Sequence, residues 1–190
     1  MMKIIGLAGT NGSGKDTVAK ILAENYGYFV VSASEMLEEE LKNHGLPFER
    51  ENKRKIGGEW RKQLGLSAIV DKAVEQAKKA GKDKLVVGSL RNPGEADKVH
   101  ELGGIMVWVD ADPKVRYQRI KSANRGRVED DKTFEQFLRE EQDEMADTGD
   151  AAGLASEKVK KKCDVFLENN RDDIKQLSKT VGKQLEGFLT

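Results

Sequence analysis

The chain is poor in the features that mark secreted, membrane-bound or nucleic-acid-binding proteins. Cys163 is its only cysteine, so an intrachain disulfide is excluded and a reducing, cytoplasmic setting is expected. That cysteine stands beside a predicted strand, which suits a packing thiol better than a nucleophile. No apolar run approaches the roughly 20 residues needed to cross a bilayer, and the strand-like pattern opening at Ile4 leaves no room for a signal peptide. Thirty-three basic residues cancel thirty-three acidic ones. No global field therefore points to nucleic acid or membrane, and any anion site has to be local. No basic stripe carries interleaved aromatics, which again argues against nucleic acid. Repeats and low-complexity tracts are missing too. The 190 residues suit one compact domain, and 35% charged residues suit well-solvated helical faces.

What the chain does have is concentrated near its start. The apolar run Ile4-Ile5-Gly6-Leu7-Ala8 leads into Gly9-Thr10-Asn11-Gly12-Ser13-Gly14-Lys15-Asp16-Thr17. A G-x-x-x-x-G-K core between a buried strand and a helix reads as a phosphate-binding loop. Its glycines let successive amides of Asn11, Gly12, Ser13 and Gly14 turn inward, and Lys15 reaches the outer phosphates of a nucleotide. The following helix adds its positive dipole end. One position is unusual: Asp16 stands where Ser or Thr normally follows the lysine, and Thr17 comes one place late.

Four further short apolar runs, at 28–31, 85–87, 105–109 and 165–167, lack strict alternation, as strands covered on both faces do. Helical patterns separate them. Val18, Ile21, Leu22 and Tyr26 make one stripe, and Ile69, Ala73, Val74 and Ala77 another, stopped by Gly81. Asn92-Pro93 and Asp112-Pro113 are start signals. Thr133-Phe134-Glu135-Gln136 has capping-box spacing, and Ile174, Leu177, Val181, Leu185 and Phe188 mark one final helix. Alternating strands and helices imply a parallel α/β sheet. The long segments 33–80 and 110–163 read as insertions at the ligand edge rather than as domains.

Phosphoryl transfer needs positioning and charge neutralisation, and magnesium takes oxygen ligands. The third apolar run ends in Gly88 and lacks the usual supporting acid. Asp16 and Thr17 are therefore the metal candidates, with Asp110 either a second support or a helix-entry residue. Arg119, Arg125 and Arg127 cluster after the fourth run on a predicted lid and are candidates for stabilising the moving charge; the alternative is a solvated loop paired with Glu129, Asp130 and Asp131. Arg116 lies one turn before Arg119. Arg91, at the sheet's ligand edge, suits a bidentate grip on an acceptor phosphate. Arg61 is a second grip or a surface salt bridge. Ser32, Ser34 and Glu35 could meet the acceptor's sugar or base, or Ser34 could cap a helix. His44 and His100 read as surface or packing residues.

With those residues placed, the chain resembles the nucleoside monophosphate kinase superfamily of P-loop proteins. Gly-Lys-Asp-Thr is similar to the late-threonine loop of adenylate kinases. The segment from Cys163 to Asn170 resembles dephospho-CoA kinases, which implies that Asn169 and Asn170 lie near the donor's adenine. Leu90-Arg91-Asn92-Pro93 and the Arg-Gly-Arg lid resemble archaeal-type kinases. A dephospho-CoA kinase, however, is expected to carry an Asp after the second strand, where Ser32-Ala33-Ser34-Glu35 stands. An ionised phosphate acceptor needs no base, whereas a ribose hydroxyl usually benefits from one, and Glu35 is the candidate for that role.

The resemblance implies a three-layer α/β/α P-loop kinase fold over residues 1–190, with a five-stranded parallel sheet in the order 2-3-1-4-5. An acceptor-binding insertion is expected at about 33–80 and a lid at about 120–132. It also implies ATP and Mg2+ as cofactors and a nucleoside or deoxynucleoside monophosphate as acceptor. Dephospho-CoA phosphorylation is the nearest alternative, and a nucleotide-dependent switch or accessory NTPase is the alternative of another class. The expected partner is a small-molecule phosphate acceptor, with no nucleic acid, no membrane and no obligatory protein partner.

Overall fold

A computed structural model describes residues 2–123, 132–146 and 149–189. Five parallel strands form one sheet: β1 (Lys3–Gly9), β2 (Phe29–Ser32), β3 (Lys84–Gly88), β4 (Ile105–Asp110) and β5 (Val165–Glu168). Their order is 2-3-1-4-5, as expected. Central β1 pairs Ile5 with Val86 of β3 and Leu7 with Val107 of β4. Burial on both faces explains why the strands read as unbroken apolar runs.

Successive side chains of β1 feed opposite cores. Ile4 and Ala8 pack with Leu85, Val87, Met106 and Trp108 beneath α2 (Ala33–Asn43), α4 (Ala68–Lys79), α5 (Pro93–Glu101) and α8 (Ser156–Lys161). Ile5 and Leu7 pack with Val86, Val107 and Leu167 beneath α1 (Lys15–Tyr26) and α9 (Ile174–Gln184). Helices on both faces of a parallel sheet make the three-layer α/β/α arrangement. Among the described residues, no helix is long and apolar enough to cross a membrane.

The start signals act as the sequence predicts. Asn92 and Thr133 each close a capping box, opening α5 and α7 (Phe134–Met145), and α6 (Pro113–Ala123) begins at Pro113. The segment 33–80 folds as α2, α3 (Arg50–Leu64) and α4. Two details differ from expectation. The final apolar stripe divides at Leu185 into α9 and α10 (Glu186–Leu189), where the Tyr28 hydroxyl donates to the Phe188 carbonyl at 2.9 Å. Leu177, Val181 and Leu185 are buried, but Ile174 and Phe188 are exposed. At the start of α2 the cap is Ser32, whose hydroxyl accepts from the Glu35 amide, rather than Ser34.

Because every strand runs the same way, the ends of β1, β3, β4 and β5 open onto one edge. After β3 the chain passes through Ser89 in a left-handed conformation (φ 64°), costly for a residue with a Cβ. Leu90 then donates its amide to the Leu7 carbonyl at 3.0 Å. This turn holds Arg91 beside the loop that follows β1.

Candidate functional site

The loop between β1 and α1 has the backbone a phosphate cradle requires. Gly9, Gly12 and Gly14 have φ of 142°, 76° and 93°, values that L side chains rarely adopt. At Gly12 a Cβ would also meet the Arg116 carbonyl at 2.7 Å. Lys15 is 8% exposed, and its Nζ donates to the Thr10 carbonyl at 2.7 Å. Burial and the nearby Arg91 lower its pKa to about 8, against the opposing pull of Asp16 and Glu144. An anionic ligand would restore its full charge. Ser13 Oγ is buried with no hydrogen-bond partner among the described residues. Glycines at positive φ, a desolvated ammonium and an orphaned hydroxyl fit the phosphates of a nucleotide. Asp16 is exposed and Thr17 half-buried in the first turn of α1, open to an ion bound with those phosphates.

The loop is braced from two strand ends. Thr10 Oγ1 donates to Asp110 Oδ1 at 2.7 Å. The same carboxylate accepts from the Ala111 amide at 2.8 Å and from Trp108 Nε1 at 3.2 Å. Asp110 is therefore a strut for the loop, and the helix-entry role falls to Asp112, whose carboxylate accepts from the Lys114 amide at 2.8 Å. Asn169, expected near the donor's adenine, is 8% exposed, and its Nδ2 donates to the Ser13 carbonyl at 2.9 Å. Asn170 is exposed, and its Oδ1 accepts from the Asp112 amide at 2.6 Å.

Arg119 also differs from expectation. Its guanidinium spans the 169–172 loop, donating to the Asn169 carbonyl at 2.9 Å, the Arg171 carbonyl at 3.2 Å and Asp172 Oδ1 at 2.9 Å. Those bonds tie it to the loop after β5. Arg125 and Arg127, with most of the expected lid, lie outside the described residues. Arg116 instead reaches the loop: it is 2% exposed, bonds Ala111 and Glu141, and extends NH1 to the Asn11 carbonyl at 3.5 Å.

Arg91 lies half-buried at the cleft after β3, with its NH1 3.0 Å from Glu144 Oε2. Arg61 needs correction. It is 4% exposed and donates Nε and NH2 to Glu95 Oε1 at 2.9 and 2.6 Å, and NH1 to the Ala152 carbonyl at 3.3 Å. Those bonds make it a strut rather than a grip on a ligand. Ser34 Oγ accepts from Lys53 Nζ at 3.2 Å in a local cluster with Glu38.

Sequence reasoning missed Arg50, Arg54, Glu141 and Glu144. Arg50 NH1 and Arg54 NH2 each donate to Glu144 Oε1 at 3.1 Å, so three guanidinium groups meet on one carboxylate. Burial alone would raise the Glu144 pKa, but Arg91, Arg50 and Arg54 outweigh it and hold it below the usual glutamate range. The spacing 50, 54, 61 on α3 follows one helical face, a signal visible in the sequence but not in any motif. Gly9, Thr10, Asn11, Arg50, Arg91 and Glu144 border one cleft, so the cluster and the phosphate loop share a space.

Sheet order, loop and helical layers define the P-loop kinase-like fold. The chain belongs to the AAA domain family, whose model matches residues 5–149, and to the UPF0200 family. It is 30% identical to the UPF0200 protein of Pyrobaculum aerophilum over 187 residues, covering 97% of this chain and 98% of that one. With the UPF0200 protein of Pyrococcus horikoshii it shares 30% over 183 residues, covering 93% and 96%. Among solved structures, the shikimate kinase from Acinetobacter baumannii in complex with shikimate aligns with a TM-score of 0.58 at 18% identity, covering 100% of this chain and 97% of that one. The shikimate kinase from Aquifex aeolicus aligns with a TM-score of 0.59 at 18% identity, covering 97% and 96%. At such identities these likenesses show the fold.

Proposed function

We propose that the protein is a phosphotransferase that moves the γ-phosphoryl group of ATP to a small acceptor already carrying a phosphate. A nucleoside or deoxynucleoside monophosphate is the preferred class. The observation that supports this reading is the convergence of Arg50, Arg54 and Arg91 on one point within the electrostatic reach of Lys15. Guanidinium forks match phosphate oxygens, and three of them exceed what one carboxylate needs.

On this reading Lys15 and the amides from Asn11 to Gly14 hold the donor's phosphates. Asp16 and Thr17 would hold Mg2+, which supplies charge neutralisation when bound. An ionised acceptor oxygen forms the new bond to the γ-phosphorus as the bond to the β–γ bridging oxygen breaks, and ADP leaves with that electron pair. No base is required, and the Glu144 carboxylate is already engaged by three guanidinium groups. The whole chain acts as one kinase domain in the cytoplasm, with residues 33–80 on the acceptor side and Arg125 and Arg127 on the lid, and it needs no macromolecular partner.

The test is coupled ADP release over a panel of nucleoside monophosphates, deoxynucleoside monophosphates and dephospho-CoA. At least one monophosphate should raise turnover well above hydrolysis. Turnover with dephospho-CoA alone would reassign the acceptor. Hydrolysis that no acceptor accelerates would make the protein a nucleotide-dependent switch or accessory NTPase instead.

A further inference from the structure

Glu144 poses a question that the phosphotransfer reading leaves open. The three guanidinium groups that suit an acceptor phosphate already hold a carboxylate, at 3.0 to 3.1 Å. Glu144 is held by side chains alone among the described residues, on partners whose side chains are 26 to 44% exposed. It brings one negative charge and two oxygens. Glu140, the next carboxylate along α7, lies 3.6 Å from Arg50 but pairs more closely with Lys132, at 2.6 Å. Three guanidinium groups at the cleft thus converge on a single carboxylate. A phosphate monoester brings nearly two charges and three terminal oxygens near neutral pH, a better match to three planar forks.

Resting on that reading, we propose that Glu144 is an internal stand-in for the acceptor's phosphate and sets acceptor specificity. A dianionic phosphate displaces it from Arg50, Arg54 and Arg91, whereas a neutral or singly charged molecule leaves it in place. The other end of α7 can stay fixed as this happens. Tyr117 packs against Phe134 and Phe137 there, with ring centroids 5.3 and 5.8 Å apart, and Thr133 caps the helix. Displacement therefore needs a turn of the Glu144 end only. Replacing one negative charge by nearly two at this point would also be felt at Lys15, where Glu144 already favours the charged form.

The experiment titrates inorganic phosphate into the full chain without ATP, by calorimetry, for the wild type and Glu144→Gln. If the stand-in occupies the arginines at least nine-tenths of the time, its removal tightens phosphate binding by about tenfold. In the wild type, saturating phosphate should also speed amide exchange in the last turn of α7, and acetate at equal concentration should not. Equal or weaker binding by a folded Glu144→Gln overturns the proposal. So does phosphate saturation with unchanged exchange in α7, or no phosphate binding by either protein. Should the variant not fold, the wild-type exchange decides alone. Neither measurement uses ATP, so failure here leaves phosphotransfer to the acceptor panel, and an inactive panel leaves displacement to these titrations.

Discussion

Two carboxylates, Glu95 on α5 and Glu144 on α7, each meet arginine from α3, and they do so in opposite ways. Glu95 is fully buried, gives Oε1 to Arg61, and gives Oε2 to the backbone amides of Arg91 and Asn92 at 2.8 and 3.0 Å. Glu144 meets Arg50, Arg54 and Arg91 through side chains that partly face water. Backbone amides have no other place to go, so the Glu95 assembly is part of the fold. Guanidinium groups at a cleft can exchange one anion for another, so the Glu144 assembly is part of the site. The same helix thus supplies a fixed pair at Arg61 and an exchangeable set at Arg50 and Arg54, eleven and seven residues away.

The largest effect should come from breaking the fixed pair. Glu95→Ala leaves the Arg61 charge buried and two amides unanswered, which costs about 3–5 kcal/mol. Urea unfolding followed by circular dichroism measures it. A loss near that of an exposed ion pair, about 1 kcal/mol or less, would erase the distinction between the two carboxylates.

A smaller effect asks whether the fixed class extends to the donor loop. Asn169 Nδ2 holds the Ser13 carbonyl from beneath, so Asn169→Ala removes a buried bond worth about 1–3 kcal/mol when left unsatisfied. Affinity for ATP and GTP should fall alike, by roughly tenfold if 1.4 kcal/mol is lost. Fluorescent-nucleotide competition reads both. A loss confined to ATP would return Asn169 to the adenine side, where the resemblance put it.

The contrast also explains what the sequence disclosed. β1, its loop and α1 were legible because every feature there is local: an apolar run, glycines at fixed offsets and a lysine within one turn. The parallel α/β class followed from alternating strands and helices, the strand order came from the resemblance, and Asn92 and Thr133 announced their helices by local start signals. The guanidinium cluster was only half legible. Arg91 was found because it directly follows a strand, but Arg50 and Glu144 meet across 94 residues, and no periodicity reports such a meeting. Arg61 was read as a ligand grip or a surface salt bridge, and Asn169 was put near the adenine by the resemblance. Their partners, Glu95 and the Ser13 carbonyl, lie 34 and 156 positions away. A polar residue near a ligand edge looks the same in sequence whether it faces the ligand or holds the wall behind it.

The smallest effect concerns stability at the exchangeable set. Arg50, Arg54 and Arg91 can return to water when their anion is lost, so Glu144→Gln should cost no more than about 1 kcal/mol at neutral pH. The sign with pH follows from the depressed Glu144 pKa. A carboxylate more acidic in the folded state adds stability above its ordinary value, about 4.3, and loses it as pH falls through the lower folded value. The gap between wild type and Glu144→Gln should therefore be constant from neutral pH down to the ordinary glutamate range and close below it. Thermal melts from pH 7 to pH 3 trace that gap. A gap as large as that of Glu95→Ala, or one that persists into acid, would mean that Glu144 is built into the wall as Glu95 is, and an acceptor phosphate would then have to find its arginines elsewhere.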